Sequence, residues 1–505
     1  MEVKASTGDI ASASVDAVIV NLFEDIERPG GATGAVDKLL DGTIERLISA
    51  GEIKGKLNET TVVHTMGKMA AERVIVVGLG KQEKFSYDTV RTVSAAACRT
   101  AKKVGARRVA TIVHGAGAGG LELEKAAQAL TEGAVLGMYT FRKHMTKDPE
   151  DSGAEIEELT LLERDAGQLP SVEQGVLRGR VLADAANLAR DMVNEPSNCM
   201  TPTDMADMAR SVAEEWNLEL TVLEREDMEK LGMGALLGVA QGTRQPPKLI
   251  KIAYRGGDPG SDQLGLVGKG VTFDSGGINL KPSDAMSDMK GDMAGGAAVI
   301  AAMKAIAELK PRINVVGLIP ASENLPDGAA VKPGDVLKAM NGKTVEVANT
   351  DAEGRLILAD AICYARDLGL TPLVDVATLT GACHIALGDI CTGAFGNDQE
   401  LIARVVKAGE EAGEKIWQMP MYEEYKEQNK SEVADVKNTG GRYGGAITAA
   451  LFLAEFSGDN AWVHLDIAGP FFNQKDRGYL AKGATGVAVR TMVNLALALA
   501  QERSK

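Results

Sequence analysis

Short apolar runs alternate with helical patterns along the first part of the chain. The apolar runs predict strands at 15–23, 73–80 and 107–113, and the helical patterns predict helices at about 88–104 and 122–141. A glycine loop and one helix are predicted between the first two strands, in GGATGAVDKLLDGTIERLISAG. Such alternation favours an α/β fold in which helices cover both faces of a sheet.

A change in composition at residues 147–158 predicts a domain junction. The stretch KDPEDSGAEIEE is acidic and polar and lacks periodicity. We therefore divide the chain into an N-terminal domain at 1–165 and a larger domain at 166–505. The larger domain begins with a long helical pattern at about 171–192. Its apolar strands, expected at the buried centre of a large sheet, are predicted at 218–223, 248–255, 263–270, 313–320, 371–379 and 461–469.

Composition narrows the classes of function. The chain has 505 residues and a formal net charge of −15, which disfavours nucleic-acid backbones as partners. Its N-terminus lacks the apolar segment of a signal peptide, and no apolar run is long enough to span a membrane. The five cysteines are scattered and include no CxxC pair, which argues for reduced thiols in a cytoplasm.

Two acidic clusters carry the candidate chemistry. The first lies in 265–298, where an apolar strand ends in a glycine-rich loop, and the second is NTDAEGRL at 349–356. Strand ends and their loops are where α/β proteins place ligands. Four carboxylates from these clusters would repel one another if gathered without counter-charge, and two divalent cations would balance them. They are Asp274, Asp292, Asp351 and Glu353.

Several segments together resemble the cytosol leucyl aminopeptidase family. These are VGKGVTFDSGGINLKP, MKGDMAGGAAV, NTDAEGRLILADA, NEPSN, DVATLTGA and HLDIAG, in the order of the family. The resemblance covers about 170 to the C-terminus, and the N-terminal part resembles the family's macrodomain-like domain more loosely. It implies a macrodomain-like α/β domain followed by an α/β/α catalytic domain with a mixed central sheet. It also implies a cytoplasmic homohexamer that removes N-terminal residues, preferably leucine-like ones, from peptides.

The resemblance further implies a role for each residue of the two clusters. Two divalent ions, Mn²⁺ or Zn²⁺, would be held by Lys269, Asp274, Asp292, Asp351 and Glu353. A hydroxide that bridges the ions would attack the first peptide carbonyl. Lys281 would donate a hydrogen bond to the resulting oxyanion, and Arg355 would hold a bicarbonate ion as general base. The matching substrate-pocket positions are Met289, Asn349, Thr378, Leu379 and Gly381.

Other interpretations compete with this one. DSGG at 274–277 resembles the nucleophile loop of trypsin-like proteases, with Ser275 as nucleophile, but the alternating fold argues against it. GAGAGG at 115–120 fits GxGxxG but lacks the acidic residue expected about 20 residues on. His384 and His464 are interpreted as core or supporting residues, not metal ligands. The family resemblance leaves open, as alternatives, a second DNA-binding regulatory role and binding of a nucleotide derivative by the N-terminal domain. DNA binding would need a basic stripe, and the basic run at 99–108 is more typical of a solvated helix face.

Overall fold

The computed structural model describes residues 1–117, 119–147 and 154–503. Their contacts divide the chain into two compact units, which comprise 1–184 with 475–482, and 185–474 with 483–505. The junction predicted at 147–158 falls largely on residues 148–153, which lie outside the described residues. Across the described ranges, no helix combines the length and apolarity needed to cross a membrane.

The first unit is built on a six-stranded sheet in the order β1-β6-β5-β2-β4-β3, parallel except where β3 pairs with β4. The strands are β1 (Glu2–Thr7), β2 (Ala17–Phe23), β3 (Thr60–His64), β4 (Arg73–Gly80), β5 (Arg108–Ile112) and β6 (Glu158–Glu163). The helices are α1 (Gly31–Leu39), α2 (Thr43–Ser49), α3 (Tyr87–Lys103), α4 (Leu123–Gly137) and the start of α5 (Leu169–Asn194). Apolar side chains of α1 and α2 pack on one face of the sheet, and those of α3 and α4 pack on the other.

The second unit is built on a nine-stranded mixed sheet. Its order is β16-β15-β18-β14-β9-β11-β8-β7, with β10 paired to β11. The strands are β7 (Glu219–Leu223), β8 (Lys248–Arg255), β9 (Gln263–Gly268), β10 (Gly270–Asp274), β11 (Asn314–Asn324), β14 (Leu373–Ala377), β15 (Cys391–Gly396), β16 (Lys415–Gln418) and β18 (Trp462–Asp466). Small sheets are formed by β12 (Val336–Lys338), β13 (Thr344–Glu346) and β17 (Val436–Lys437), and by β19 (Phe472–Asn473) and β20 (Gly483–Ala484).

Helices accompany this sheet along the rest of the chain. Two of them, α10 (Ala294–Leu309) and α11 (Gly354–Asp367), are apolar over much of their length and pack against the central strands β9 and β11. Their burial fixes the helix ends that face the site. The helices are α6 (Pro202–Trp216), α7 (Arg225–Leu231), α8 (Gly234–Val239), α9 (Ser283–Met286), α10 (Ala294–Leu309), α11 (Gly354–Asp367), α12 (Gly381–Leu387), α13 (Gln399–Ala412), α14 (Gly445–Ser457) and α15 (Val489–Arg503).

The fold class predicted from the alternation is confirmed, and the apolar strands at the sheet centres fall where the pattern predicts them. The prediction of one helix between the first two strands was wrong, because α1, α2 and β3 all lie there. Three strands of the first sheet were missed: the edge strands β1 and β3, and β6 beside β1. An edge strand needs fewer apolar residues than a central one, so its pattern is weaker.

Candidate active site

The site begins at a break in one strand. The run predicted as a strand at 263–270 is divided at Lys269, and both pieces, β9 and β10, pair in parallel with the single long strand β11. At the break the Lys269 N–H donates to the Val376 carbonyl, and the Lys269 carbonyl accepts from Gly296 N–H at the start of α10. The break therefore fixes the backbone of Lys269, whose side chain is buried.

Close packing at two glycines allows the strand break and the two helix ends to meet. A side chain on Gly295 would come within 2.0 Å of the Val376 carbonyl oxygen. One on Gly354, the first residue of α11, would come within 2.6 Å of Lys269 Nζ. Glu353 precedes α11, so its carboxylate reaches the same region as Lys269. Only glycine leaves room for these approaches.

Six charged residues from the two sequence clusters lie together. The Lys269 ammonium lies 2.7 Å from Asp292 Oδ2 and 2.8 Å from Glu353 Oε1. The Lys281 ammonium lies 2.8 Å from Asp274 Oδ2 and 2.6 Å from Asp351 Oδ1. Each lysine thus lies between two carboxylates. The four carboxylates span 79 residues of the chain, from 274 to 353. The structure therefore unites the two acidic clusters.

Burial and the neighbouring charges together shift the pKa values of Lys269, Lys281 and Asp292. Burial raises the pKa of Asp292 well above its ordinary value, and nearby Glu353 adds to this effect. Burial alone would lower the pKa of Lys269, but Asp292, Glu353 and Asp274 outweigh it and raise that pKa. The pKa of Lys281 is raised for the same reason, with Asp274 the largest favourable charge. Four carboxylates against two ammonium groups leave two uncompensated negative charges if all are ionised.

This donor set fits divalent metal ions. Ligand oxygens of Asp274, Asp351 and Glu353 lie within 4.8 Å of one another. Glu353 is 2% exposed, and its Oε2 has no hydrogen-bond partner among the described residues. A buried, unpartnered carboxylate oxygen is costly, and a cation bound there would satisfy it. Oxygen ligands joined by one amine suit Zn²⁺, Mn²⁺ or Mg²⁺.

Neighbouring polar side chains orient these carboxylates. Asn324, at the end of β11, donates from Nδ2 to Asp274 Oδ1 at 2.8 Å. Thr378 donates from Oγ1 to Asp292 Oδ1 at 2.7 Å. Sequence patterns did not single out Asn324, because the β10–β11 pairing that brings it to Asp274 depends on a partner about 50 residues away. Asn324 lies beyond the strand predicted at 313–320 and ends the longer strand β11 of the structure.

A cavity of about 410 Å³ opens beside the charged cluster. Of the pocket positions predicted from sequence, Met289, Thr378, Leu379 and Gly381 line it. Asn349 is not among the described lining residues; its side chain accepts a hydrogen bond from Asp351 N–H at 2.9 Å. Lining residues that the sequence analysis missed are Asp288, Thr380, His384, Asp389, Ala468, Gly469, Phe471, Phe472 and Gln474.

Arg355 is buried in the first turn of α11. Its Nη1 donates to the Asn438 carbonyl at 2.7 Å. Its Nε has no hydrogen-bond partner within the described ranges. Burial lowers the pKa of Arg355 to about 10, against the opposing effect of Glu353 and Asp466. The guanidinium therefore stays charged at neutral pH and keeps a donor for a further group.

Two histidines and one serine bear on the competing interpretations. His464 is fully buried and pairs through Nδ1 with Asp375 at 2.5 Å, as expected of a core residue. His384 is half exposed, pairs with Asp389 and lines the cavity, so it lies beside the site and not in the core. Ser275 is buried and donates from Oγ to the Asn324 carbonyl at 2.7 Å. A hydroxyl held by a carbonyl is not poised as the nucleophile of a serine protease.

The chain is similar to known proteins over nearly its whole length. The model of the cytosol aminopeptidase family, catalytic domain, matches residues 187–493, and that of the N-terminal domain matches residues 19–148. The probable cytosol aminopeptidase of Alkaliphilus metalliredigens (strain QYMF) is 47% identical over 496 residues, 98% of this chain and 99% of that protein. That of Solibacter usitatus (strain Ellin6076) is 47% identical over 498 residues, 98% of this chain and 99% of that protein.

Two solved structures share the whole fold. A mutant of tomato leucine aminopeptidase superposes with a TM-score of 0.88 at 34% identity, covering 99% of this chain and 96% of that one. The bottromycin maturation enzyme BotP in complex with Mn superposes with a TM-score of 0.85 at 33% identity, covering 96% of this chain and 100% of that one.

The mixed sheet and the carboxylate cluster at its strand ends define a metal-dependent α/β hydrolase. The matches over nearly the full length go further: the chain belongs to the cytosol aminopeptidase family. It is accordingly an aminopeptidase, with peptides as its substrates. The comparisons give no support to DNA binding or nucleotide-derivative binding as an alternative.

Proposed function

We propose that the chain removes N-terminal residues, leucine-like ones preferred, from peptides at a centre of two divalent metal ions. The observation that carries this is the convergence of Asp351 with the buried Asp274 and Glu353, beside Lys269 and Asp292. These five residues are the proposed ligands. When bound, the two ions supply an acidified water and polarise the scissile carbonyl. The proposed ions are Mn²⁺ or Zn²⁺, as the donor types allow.

Charge balance explains how the same residues can form both a metal-free site and a metal-bound site. Each lysine ammonium lies between two carboxylates, where its charge is needed. A divalent cation competes with these ammonium groups for the same oxygens, because it carries twice the charge. Lys269 must then give up its proton to act as a ligand, which metal binding promotes. Lys281 keeps its proton and becomes available to the substrate.

Lys281 and Arg355 are the proposed catalytic residues. Lys281 lines the cavity, so its ammonium can donate a hydrogen bond to the oxyanion that forms when the peptide carbonyl is attacked. Arg355 is the proposed holder of bicarbonate as general base. Its charged, buried guanidinium and unpartnered Nε support the binding of a small anion. A base positioned this way would accept the proton that the attacking water releases.

The cavity supports the proposed preference for leucine-like side chains. Met289 and Leu379 contribute apolar surface, and Gly381 contributes no side chain. Thr378 belongs to the same wall and Asn349 to the adjoining turn, so both stay in the proposed pocket. Transfer of an apolar first side chain from water to such a wall is favourable and stabilises the bound substrate.

Three features beyond the site complete the proposal. The chain acts in the cytoplasm, supported by the word cytosol in the names of its relatives. It assembles as a homohexamer, as its sequence resemblance implies. Its domains are divided near residue 165, with the catalytic domain at 166–505; the two family models, which end at 148 and begin at 187, leave room for this boundary.

Removal of metal tests the proposed function. Exhaustive chelation should abolish hydrolysis of leucine p-nitroanilide, because the carboxylate cluster alone cannot activate water at neutral pH. Added Mn²⁺ or Zn²⁺ should restore the rate, and elemental analysis should find two ions per chain. Full activity in protein shown to be free of metal would overturn the proposal.

Replacement of Lys281 tests the division of labour. Lys281→Ala should lower kcat about 10²–10³-fold while the bound metal stays at the wild-type level, because the oxyanion loses one charged donor and no ligand is removed. Lys332→Ala is the matched control, since Lys332 is an exposed lysine paired with Asp335 at 2.9 Å. It should leave both quantities unchanged. A loss of metal from Lys281→Ala would contradict the assigned role.

A further inference from the structure

We propose that Asn438 is a positioning residue. It holds in place the turn that carries the candidate metal ligands Asp351 and Glu353, and it also holds the guanidinium of Arg355. The inference rests on the proposed function of Asp351, Glu353 and Arg355. Asn438 does not line the cavity. It acts through the residues that it holds, although it lies more than 80 positions after them in the chain.

Strand pairing brings Asn438 to the turn. The short strands β13 and β17 run in parallel, with Glu346 opposite Lys437. Asn438 follows β17 directly, and its N–H donates to the Glu346 carbonyl at 2.9 Å. The chain after β13 therefore passes beside the Asn438 side chain before it reaches Asp351.

The side-chain amide binds both ends of that turn. Its Oδ1 accepts from Ala348 N–H at 2.9 Å and from Asn349 N–H at 3.3 Å. Its Nδ2 donates to the Asn349 carbonyl at 2.7 Å and to the Ala352 carbonyl at 3.3 Å. Ala352 lies between Asp351 and Glu353, so the amide fixes the backbone that carries both carboxylates.

The main chain of Asn438 holds the guanidinium. Arg355 Nη1 donates to the Asn438 carbonyl at 2.7 Å. One residue thus connects the ligand turn and the proposed bicarbonate holder. Because the turn and Arg355 are only a few residues apart, a shift of Asn438 would move both together.

Only an amide side chain satisfies all these partners. The site presents two backbone N–H groups and two backbone carbonyls, and an asparagine offers an acceptor and a donor of matching size. Asn438 is fully buried, so water cannot replace lost hydrogen bonds at low cost. An aspartate has the same shape, but its second oxygen would face the carbonyls of Asn349 and Ala352. Repulsion there would loosen the turn.

The test compares the full-length wild-type protein with Asn438→Asp and Asn438→Ala. Mn²⁺ affinity is measured by equilibrium dialysis with elemental analysis. Values of kcat and KM for leucine p-nitroanilide are measured at saturating Mn²⁺, and unfolding midpoints by thermal denaturation. Both variants should bind Mn²⁺ about 10–100-fold more weakly, as when the partners of metal ligands are removed. Their kcat should fall at least about tenfold even when the metal is saturating.

Asn429→Asp is the matched control. Asn429 is also buried, lies nine residues earlier and donates from Nδ2 to the Thr448 carbonyl at 2.8 Å, outside the site. This variant should lower the unfolding midpoint but keep the Mn²⁺ affinity, kcat and KM of the wild type. A purely structural role of Asn438 would give the same result as this control.

The outcomes separate the two proposals. If the wild type binds Mn²⁺ and the Asn438 variants bind it equally well and turn over at the wild-type rate, the positioning role is overturned alone. If the wild type itself neither binds Mn²⁺ nor cleaves the substrate, the proposed function fails and this inference fails with it. Should Asn438→Asp not fold, Asn438→Ala, which adds no charge, decides by the same measurements.

Discussion

Glu353→Ala should lose both the bound metal and the activity of this aminopeptidase. Glu353 is a candidate ligand with a buried oxygen that lacks a hydrogen-bond partner among the described residues, and its other oxygen lies 2.8 Å from Lys269 Nζ. Removal of this carboxylate takes one donor from a centre that needs negative charge to hold two cations. The loss in kcat/KM should therefore exceed the about 10²–10³-fold loss that follows from removal of one oxyanion donor.

The measurement combines elemental analysis with a rate assay on leucine p-nitroanilide. Glu346→Ala is the matched control, because Glu346 lies on β13 only seven residues earlier and accepts a hydrogen bond from Ser431 at 2.5 Å. That variant should keep wild-type metal content and rate. A Glu353→Ala protein that retains two ions per chain would show that Glu353 is not a ligand.

Acetylation of the substrate amine should abolish cleavage. The site presents four carboxylates around the proposed metals, and a free α-amine can bind there through its lone pair or its positive charge. Acetylation delocalises the lone pair into an amide, removes the charge and adds bulk. Leucine p-nitroanilide should be cleaved, whereas N-acetyl-leucine p-nitroanilide should react at least about 10³-fold more slowly, because it loses the positioning of its reacting carbonyl.

The two substrates should be compared at one enzyme concentration and with saturating metal. They share the leaving group and the leucine side chain, so the comparison isolates the amine. Comparable rates on both would contradict an exopeptidase mechanism in which the free N-terminus is bound. If cleavage is lost only for the acetylated substrate, and cleavage of the free amine still requires metal, the result would support the proposed site.

Much of the candidate site could be predicted from local sequence. Lys269, Asp274 and Asp351 stand in glycine-rich segments at predicted strand or helix ends, where ligands are commonly bound. The residues that orient them could not be predicted in this way. Asn324 and Asn438 are ordinary polar residues in their own segments. Only long-range strand pairing brings Asn324 to Asp274 and Asn438 to the turn that carries Asp351.

The sequence by itself determined the alternation of strands and helices, the two acidic clusters and the family resemblance. These are local properties, set by side-chain periodicity and by residues close together in the chain. The tertiary structure decided that Lys269 lies at a strand break, that Lys281 lies between two carboxylates and that Arg355 binds a carbonyl 83 residues away. Burial brings these charges together, and their electrostatic coupling depends on the distances between them.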